Sequence, residues 1–191
     1  MPADPKSARS TLLAELREHA LVIGEVVLSS GRTAQYYVDA KRALLRPVAF
    51  RAAGELIAAE ASDHGAAAVG GMSIGADPLA CAAIGAEGGE DLVAFFVRKE
   101  RKQHGLQRWI EGPPLKPGTR CLVVEDVVTT GGSTVKAIER ILEEGLGVVA
   151  VVSVVDRLAG GAEAIAEAGG GAPYHPLVSI DELYPDRPDR L

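Results

Sequence analysis

Hydrophobic positions change period repeatedly along the chain, and each change marks an element. Leu12, Leu13, Leu16 and Ala20 recur at helical spacing and predict a helix over residues 10–20. Two short β-type runs, 23–28 and 36–39, flank Ser29-Ser30-Gly31-Arg32 and predict a hairpin. A second helix is expected over 47–61, with Pro47 in its first turn, where a missing N–H costs nothing. Small apolar residues at 66–69 predict a strand, the glycine-rich stretch 70–75 a loop, and Pro78 the start of a helix running towards Ala86. Residues 92–97 and 121–124 are continuous apolar runs, and 148–155 is one broken only by Ser153, as expected of strands buried on both faces. The last is the richest in β-branched residues and is expected at the centre of a sheet. Helices over 133–144 and 162–168, a break at Gly169-Gly170-Gly171, a strand at 174–178 and a short helix at 181–183 complete the pattern. Only the polar stretch 98–114 has no period.

Helical and strand periods alternate, so the expected class is α/β: one domain with a mostly parallel central sheet flanked by helices. The N-terminal helix and hairpin precede this alternation. Residues 1–40, with the C-terminal segment, are expected to form a small hood over one end of the sheet.

Composition changes this picture little. The chain has 191 residues, 47% hydrophobic and 24% charged, which suits a folded domain with a real core. A net charge of −6 argues against a nucleic-acid partner. No apolar run reaches the roughly 20 residues of a membrane span, and Met1-Pro-Ala-Asp-Pro-Lys6 has no apolar signal region. A cytoplasmic protein with no membrane partner is therefore expected. Both cysteines, Cys81 and Cys121, sit among apolar neighbours and are expected to be buried, reduced thiols.

The chemistry concentrates in one string, Leu122-Val-Val-Glu-Asp-Val-Val-Thr-Thr-Gly-Gly-Ser-Thr134. A buried strand is expected to end in two adjacent carboxylates, at the edge of a parallel sheet where ligands bind. Carboxylates accept hydrogen bonds, and a ribose offers two vicinal hydroxyls, one each for Glu125 and Asp126. Two glycines, hydroxyl side chains and the start of a helix then make an anion cradle. Thr-Gly-Gly-Ser alone would serve equally as a capped helix start. The whole string describes a site for a sugar phosphate. It is neither Gly-x-x-x-x-Gly-Lys-Ser/Thr nor Gly-x-Gly-x-x-Gly, which excludes the two common nucleotide loops.

This string resembles the 5-phosphoribosyl 1-diphosphate (PRPP) motif of the type I phosphoribosyltransferases, and the resemblance implies that fold. It implies that Glu125 and Asp126 hold the ribose hydroxyls. Val127 and Val128 lead into Thr129, Thr130, Gly131, Gly132 and Ser133, which wrap the 5′-phosphate. Other segments resemble the orotate phosphoribosyltransferases in particular, over roughly residues 12–183. Arg98-Lys-Glu-Arg-Lys-Gln-His-Gly105 resembles their flexible loop, which implies that Arg98, Lys99, Lys102 and His104 contact PRPP and its diphosphate. Basic groups suit a site where negative charge develops on a leaving group. Lys102, Asp126 and His104 are cast as the catalytic residues. In the family this loop enters the neighbouring subunit's site, implying a homodimer with shared active sites. Gln107-Arg-Trp109 occupies a stretch that is often richer in glycine in the family.

The hairpin string from Gly24 to Asp39 resembles the family's hairpin beside the orotate pocket, with Ser29 where some members carry Lys. The Gly70–Pro78 stretch resembles the loop near the diphosphate and lacks a Lys found near Gly75 in some members. Asp77 is read there as either a helix N-cap or a ligand. Val155-Asp-Arg157 supplies an arginine that contacts orotate in the family, so Arg157 is the expected substrate anchor and Thr129 the second. The implied reaction transfers phosphoribose from PRPP to N1 of orotate, with Mg²⁺ carried mainly by PRPP. A purine-type phosphoribosyltransferase and a non-catalytic PRPP-binding regulator are the open alternatives.

Overall fold

The computed structural model describes residues 5–27, 31, 33–101 and 108–190. Six strands form the main sheet: β3 (Ala68–Met72), β4 (Val93–Val97), β5 (Ile110–Glu111), β6 (Arg120–Val128), β7 (Gly147–Asp156) and β8 (Tyr174–Ser179). Their spatial order is β5-β4-β3-β6-β7-β8. All neighbours run parallel except β5, which pairs antiparallel with β4. A two-residue strand is too short to show a period, which is why 98–114 read as featureless. A separate antiparallel hairpin, β1 (Leu21–Val27) with β2 (Thr33–Val38), precedes the sheet and carries a bulge between Ile23 and Val26.

Side-chain alternation along β6 divides the core. Leu122 and Val124 face one apolar layer, with α3 (Pro47–Asp63), α4 (Asp77–Ile84) and α1 (Pro5–His19). Cys121 and Val123 face the other, with α5 (Gly132–Glu143) and α6 (Gly161–Ala168). Two single-turn helices, α2 (Lys41–Leu44) and α7 (Ile180–Leu183), sit at the ends of this frame. Arg9 and Arg17 of α1 reach Glu182 of α7, and Tyr36 of β2 reaches Asp189.

The structure corrects three expectations. The glycines at 70 and 71 belong to β3, not to a loop. A β-carbon on Gly70 would collide with the Phe95 carbonyl of β4, and one on Gly71 with the Val124 carbonyl of β6. Strand β6 does not end at the acids but continues to Val128, paired with β7 as far as Asp156. Cys81 is exposed, because α4 turns Leu79, Ala80, Ala82 and Ala83 inward and Cys81 outward. Only Cys121 is buried, and burial pushes its thiol up to about 12.

Candidate active site

The continuation of β6 decides how the two acids are presented. Successive side chains on a strand point to opposite faces, so Glu125 and Asp126 lie on different sides of the sheet edge. Glu125 faces α5 and accepts a 3.3 Å hydrogen bond from the Thr134 hydroxyl. Beside it in register is Ser153 of β7, whose hydroxyl is 2.7 Å from that of Tyr174. Asp126 faces the other way. Its Oδ2 accepts from Lys41 Nζ at 3.0 Å and its Oδ1 from the Val127 N–H at 2.9 Å. Gly75 packs against it so closely that a β-carbon there would lie 2.5 Å from Oδ1.

Both acids are buried, at 5% and 8% exposure, and both precede the loop by only a few residues. Burial pushes the Glu125 carboxyl up to about 8, and the adjacent Asp126 charge pushes the same way. Burial alone would lower the Lys41 ammonium, but its hydrogen bond to Asp126 and the charges of Asp126 and Asp39 outweigh this and raise it.

Next along the chain, Gly131 caps α5 with φ of +78°, a conformation that favours glycine. A β-carbon on it would also sit 2.9 Å from the Gly161 carbonyl oxygen, so α6 backs the loop. Thr129, Thr130, Gly132 and Ser133 are exposed, and their N–H groups and hydroxyls surround a polar cavity of about 340 Å³. Glu125, Val127, Val128, Gly131, Thr134 and Lys136 complete its walls. The Val128 side chain itself is buried, so that residue offers the cavity only backbone.

Arg157 stands at the end of β7, its N–H bonded to the Val128 carbonyl at 2.9 Å. Its guanidinium lies 5.2 Å from the centre of the Tyr36 ring, and Nη2 donates to the Tyr36 hydroxyl at 3.2 Å. Arg157 Nε is buried with no hydrogen-bond partner among the described residues. A buried donor of this kind calls for an acceptor. Asp156 turns away to accept from the Leu158 N–H at 2.7 Å.

Arg98 and Lys99 line a different cavity, of about 450 Å³, with Ser73, Ile74, Phe96, Glu100 and Glu111. The structure thus brings the Gly70–Pro78 stretch and the start of the basic loop together, but not into the phosphate cradle. Asp77 is not the N-cap of α4, which is Ala76, and accepts instead from the Ser73 hydroxyl at 2.9 Å. Lys102, His104 and Ser29 lie outside the described residues. Both arms of the basic loop are tied to α5. Arg140 donates to the Arg98 carbonyl at 2.6 Å and to the Lys99 carbonyl at 2.9 Å, and stacks 4.2 Å from the Trp109 ring centre. Trp109 Nε1 donates to Glu143 at 2.7 Å and its backbone N–H to Glu144 at 2.8 Å.

Sequence reasoning missed Lys41, Tyr36, Lys136 and Arg140. Lys41 is two residues from Asp39 but 85 from its partner Asp126. No local spacing signals such a pair. Lys136 lies one helical turn beyond Gly132, a spacing that does signal the cradle side of α5.

A carboxylate pair at the carboxyl edge of a parallel sheet, followed by a glycine-capped loop at a helix start, is the arrangement a sugar phosphate requires. The phosphoribosyl transferase domain family matches residues 72–168. An orotate phosphoribosyltransferase of Corynebacterium glutamicum is 47% identical over 176 residues, covering 92% of this chain and 94% of that one. Orotate phosphoribosyltransferase of Mycobacterium tuberculosis H37Rv in complex with Fe(III) dicitrate superposes with a TM-score of 0.82 at 44% identity, covering 93% and 99% of the two chains. A structure of the same enzyme in complex with PRPP gives a TM-score of 0.77 at 37% identity, covering 92% and 98%. The chain belongs to the orotate phosphoribosyltransferases. It is an enzyme, a glycosyltransferase of pentosyl groups, and the purine-type and non-catalytic readings fall away. No helix among the described residues is long and apolar enough to cross a membrane.

Proposed function

We propose that this chain transfers the 5-phosphoribosyl group of PRPP to N1 of orotate, giving orotidine 5′-monophosphate and diphosphate in pyrimidine biosynthesis in the cytoplasm. The observation that carries this is the juxtaposition of Glu125 and Asp126 with the loop capped by Gly131. The 5′-phosphate takes the exposed N–H groups and hydroxyls of 129–133, at the positive end of α5. The ribose straddles the end of β6, so that Glu125 meets it from one face and Asp126 from the other. Orotate lies beside Thr129, its carboxylate on Arg157, whose unpartnered Nε supports this placement.

As the C1–O bond to diphosphate breaks, C1 bonds to N1 of orotate, the N1 proton passes to the departing diphosphate, and negative charge gathers on its oxygens. Arg98, Lys99 and Lys102 offset that charge, and His104 assists proton movement there. No covalent nucleophile is required; positioning and charge do the work. Mg²⁺ fits this donor set as a passenger of the substrate. Each oxygen of Asp126 already accepts one hydrogen bond, from Lys41 or the Val127 N–H, which leaves acceptor sites for a ribose hydroxyl but no free carboxylate to ligate a metal. Bound to PRPP, the ion would supply positive charge against the diphosphate. Residues 1–40 and the C-terminal segment serve as a hood, a reading supported by the Arg9–Glu182 and Tyr36–Asp189 links.

The enzyme works as a homodimer in which the basic loop of one protomer serves the site of its partner. Exposed Leu45, Val48 and Ile74 are apolar surface available to such a contact. The test is complementation: impaired Lys102→Ala and Asp126→Asn proteins are mixed under conditions that exchange subunits, and the mixture is compared with the sum of the two alone. Restored diphosphate release from PRPP, orotate and Mg²⁺ is expected. Mixed dimers that form and stay inactive would overturn the shared site.

A further inference from the structure

A second cluster lies at the opposite edge of the sheet from the cradle. Helix α3 ends at Asp63 and leads into the start of β3, while His175 stands at the start of β8. Glu60, in the last turn of α3, and His64, the residue that caps it, are four residues apart and face the same way. His175 Nδ1 lies 2.8 Å from Glu60 Oε2, and His64 Nε2 lies 3.6 Å from the same oxygen. The three donor atoms all fall within 4.8 Å of one another. We propose that Glu60, His64 and His175 form a binding site for one borderline transition-metal ion of the Zn²⁺ class.

Three arguments converge on this chemistry. First, Zn–N and Zn–O bonds of about 2.0–2.1 Å set the donor–donor edge of a tetrahedron at roughly 3.3–3.4 Å. The two short separations, 2.8 and 3.6 Å, bracket that edge, so small rotations of part-exposed side chains close the set. Second, the cluster sits at the carbonyl end of a 17-residue helix, where the dipole favours a cation. Third, the backbone carrying His64 is held from outside the cluster. Arg120 donates to the His64 carbonyl at 2.6 Å and to the Gly65 carbonyl at 2.9 Å.

Two imidazoles and one carboxylate select against Mg²⁺, which takes oxygen ligands, and leave one coordination position for water. A bound ion would fasten the end of α3 to the start of β8, far from the residues assigned to the transfer reaction.

The experiment uses the full chain, stripped with a chelator and dialysed, without PRPP or orotate. Zn²⁺ is titrated calorimetrically at pH 7.5, and thermal unfolding is followed with and without the ion. One equivalent per chain and a raised Tm are expected, unaffected by excess Mg²⁺. His64→Ala and His175→Ala, both at half-buried positions, are expected to lose both effects while each folds to a cooperative metal-free Tm. His19→Ala, on α1, is expected to keep them. Absence of Zn²⁺ binding to the unaltered chain, or binding that survives both cluster variants, would overturn the proposal. So would competition by Mg²⁺.

Discussion

Glu125 offers a sharp test of the site's electrostatics, through the substitution Glu125→Gln. The side chain is buried at the end of β6, and its carboxyl is pushed from 4.5 up to about 8, first by burial and then by the Asp126 charge. Below pH 4.5 the folded and unfolded chains both hold this proton. Between 4.5 and about 8 the folded chain keeps it while the unfolded chain releases it, so rising pH favours unfolding. Above about 8 both forms are ionised and the dependence levels off. Each pH unit in the window removes about 1.4 kcal/mol, a ceiling of about 4 kcal/mol between pH 5 and 8. Water reaching the cavity lowers this, and about 2–4 kcal/mol is expected. Glutamine keeps the shape and cannot ionise. Urea unfolding at pH 5, 6, 7 and 8 would therefore show the two proteins diverging, the Gln variant losing less stability. Other titrating groups act in both proteins and cancel in the difference. Parallel stability curves across that range would refute the argument.

Two further substitutions separate the roles of neighbouring parts. Arg157→Lys keeps a charge but loses the planar fork; the KM for orotate should rise about 10- to 100-fold, as for one charge-assisted hydrogen bond of about 1.5–3 kcal/mol, while the KM for PRPP holds. A rise in both by equal factors would remove Arg157 from the orotate pocket. Arg140→Met removes the donors that hold the Arg98 and Lys99 carbonyls and the stacking on Trp109; kcat/KM for PRPP should fall about tenfold with Tm nearly unchanged. Trp109 is the chain's single tryptophan, so its emission reports loss of the contact. Altered emission with unaltered kinetics would show that the contact does not position the loop.

The parts of the fold legible in the sequence were those governed by local period. Apolar runs at 92–97 and 148–155 became β4 and β7, and Pro47 opened α3 where expected. The cradle was legible because its chemistry is contiguous: acids, glycines and hydroxyls fall within ten residues of one another, from Glu125 to Thr134. What was hidden depends on partners distant in sequence. Gly70 and Gly71 read as a loop because glycine weakens a strand. They are strand residues because neighbouring backbone leaves no room for a side chain. The same crowding explains Gly75, which makes space for Asp126. The opposed facing of Glu125 and Asp126 follows from two more turns of the β pleat than the apolar run implied. Lys41, Tyr36 and Arg140 acquire their meaning only from contacts 85, 121 and 42 residues away.

The proposed reaction rests most directly on Asp126, the acid that pairs with Lys41 and is proposed to hold the ribose. The decisive measurement is steady-state diphosphate release from PRPP with orotate and Mg²⁺, comparing the unaltered enzyme with Asp126→Asn at equal Tm. Loss of one charge-assisted hydrogen bond predicts a fall of about 10- to 100-fold in kcat/KM. An Asn variant that works within about threefold of the unaltered enzyme, a difference of only about 0.7 kcal/mol, would contradict the placement of PRPP at the end of β6.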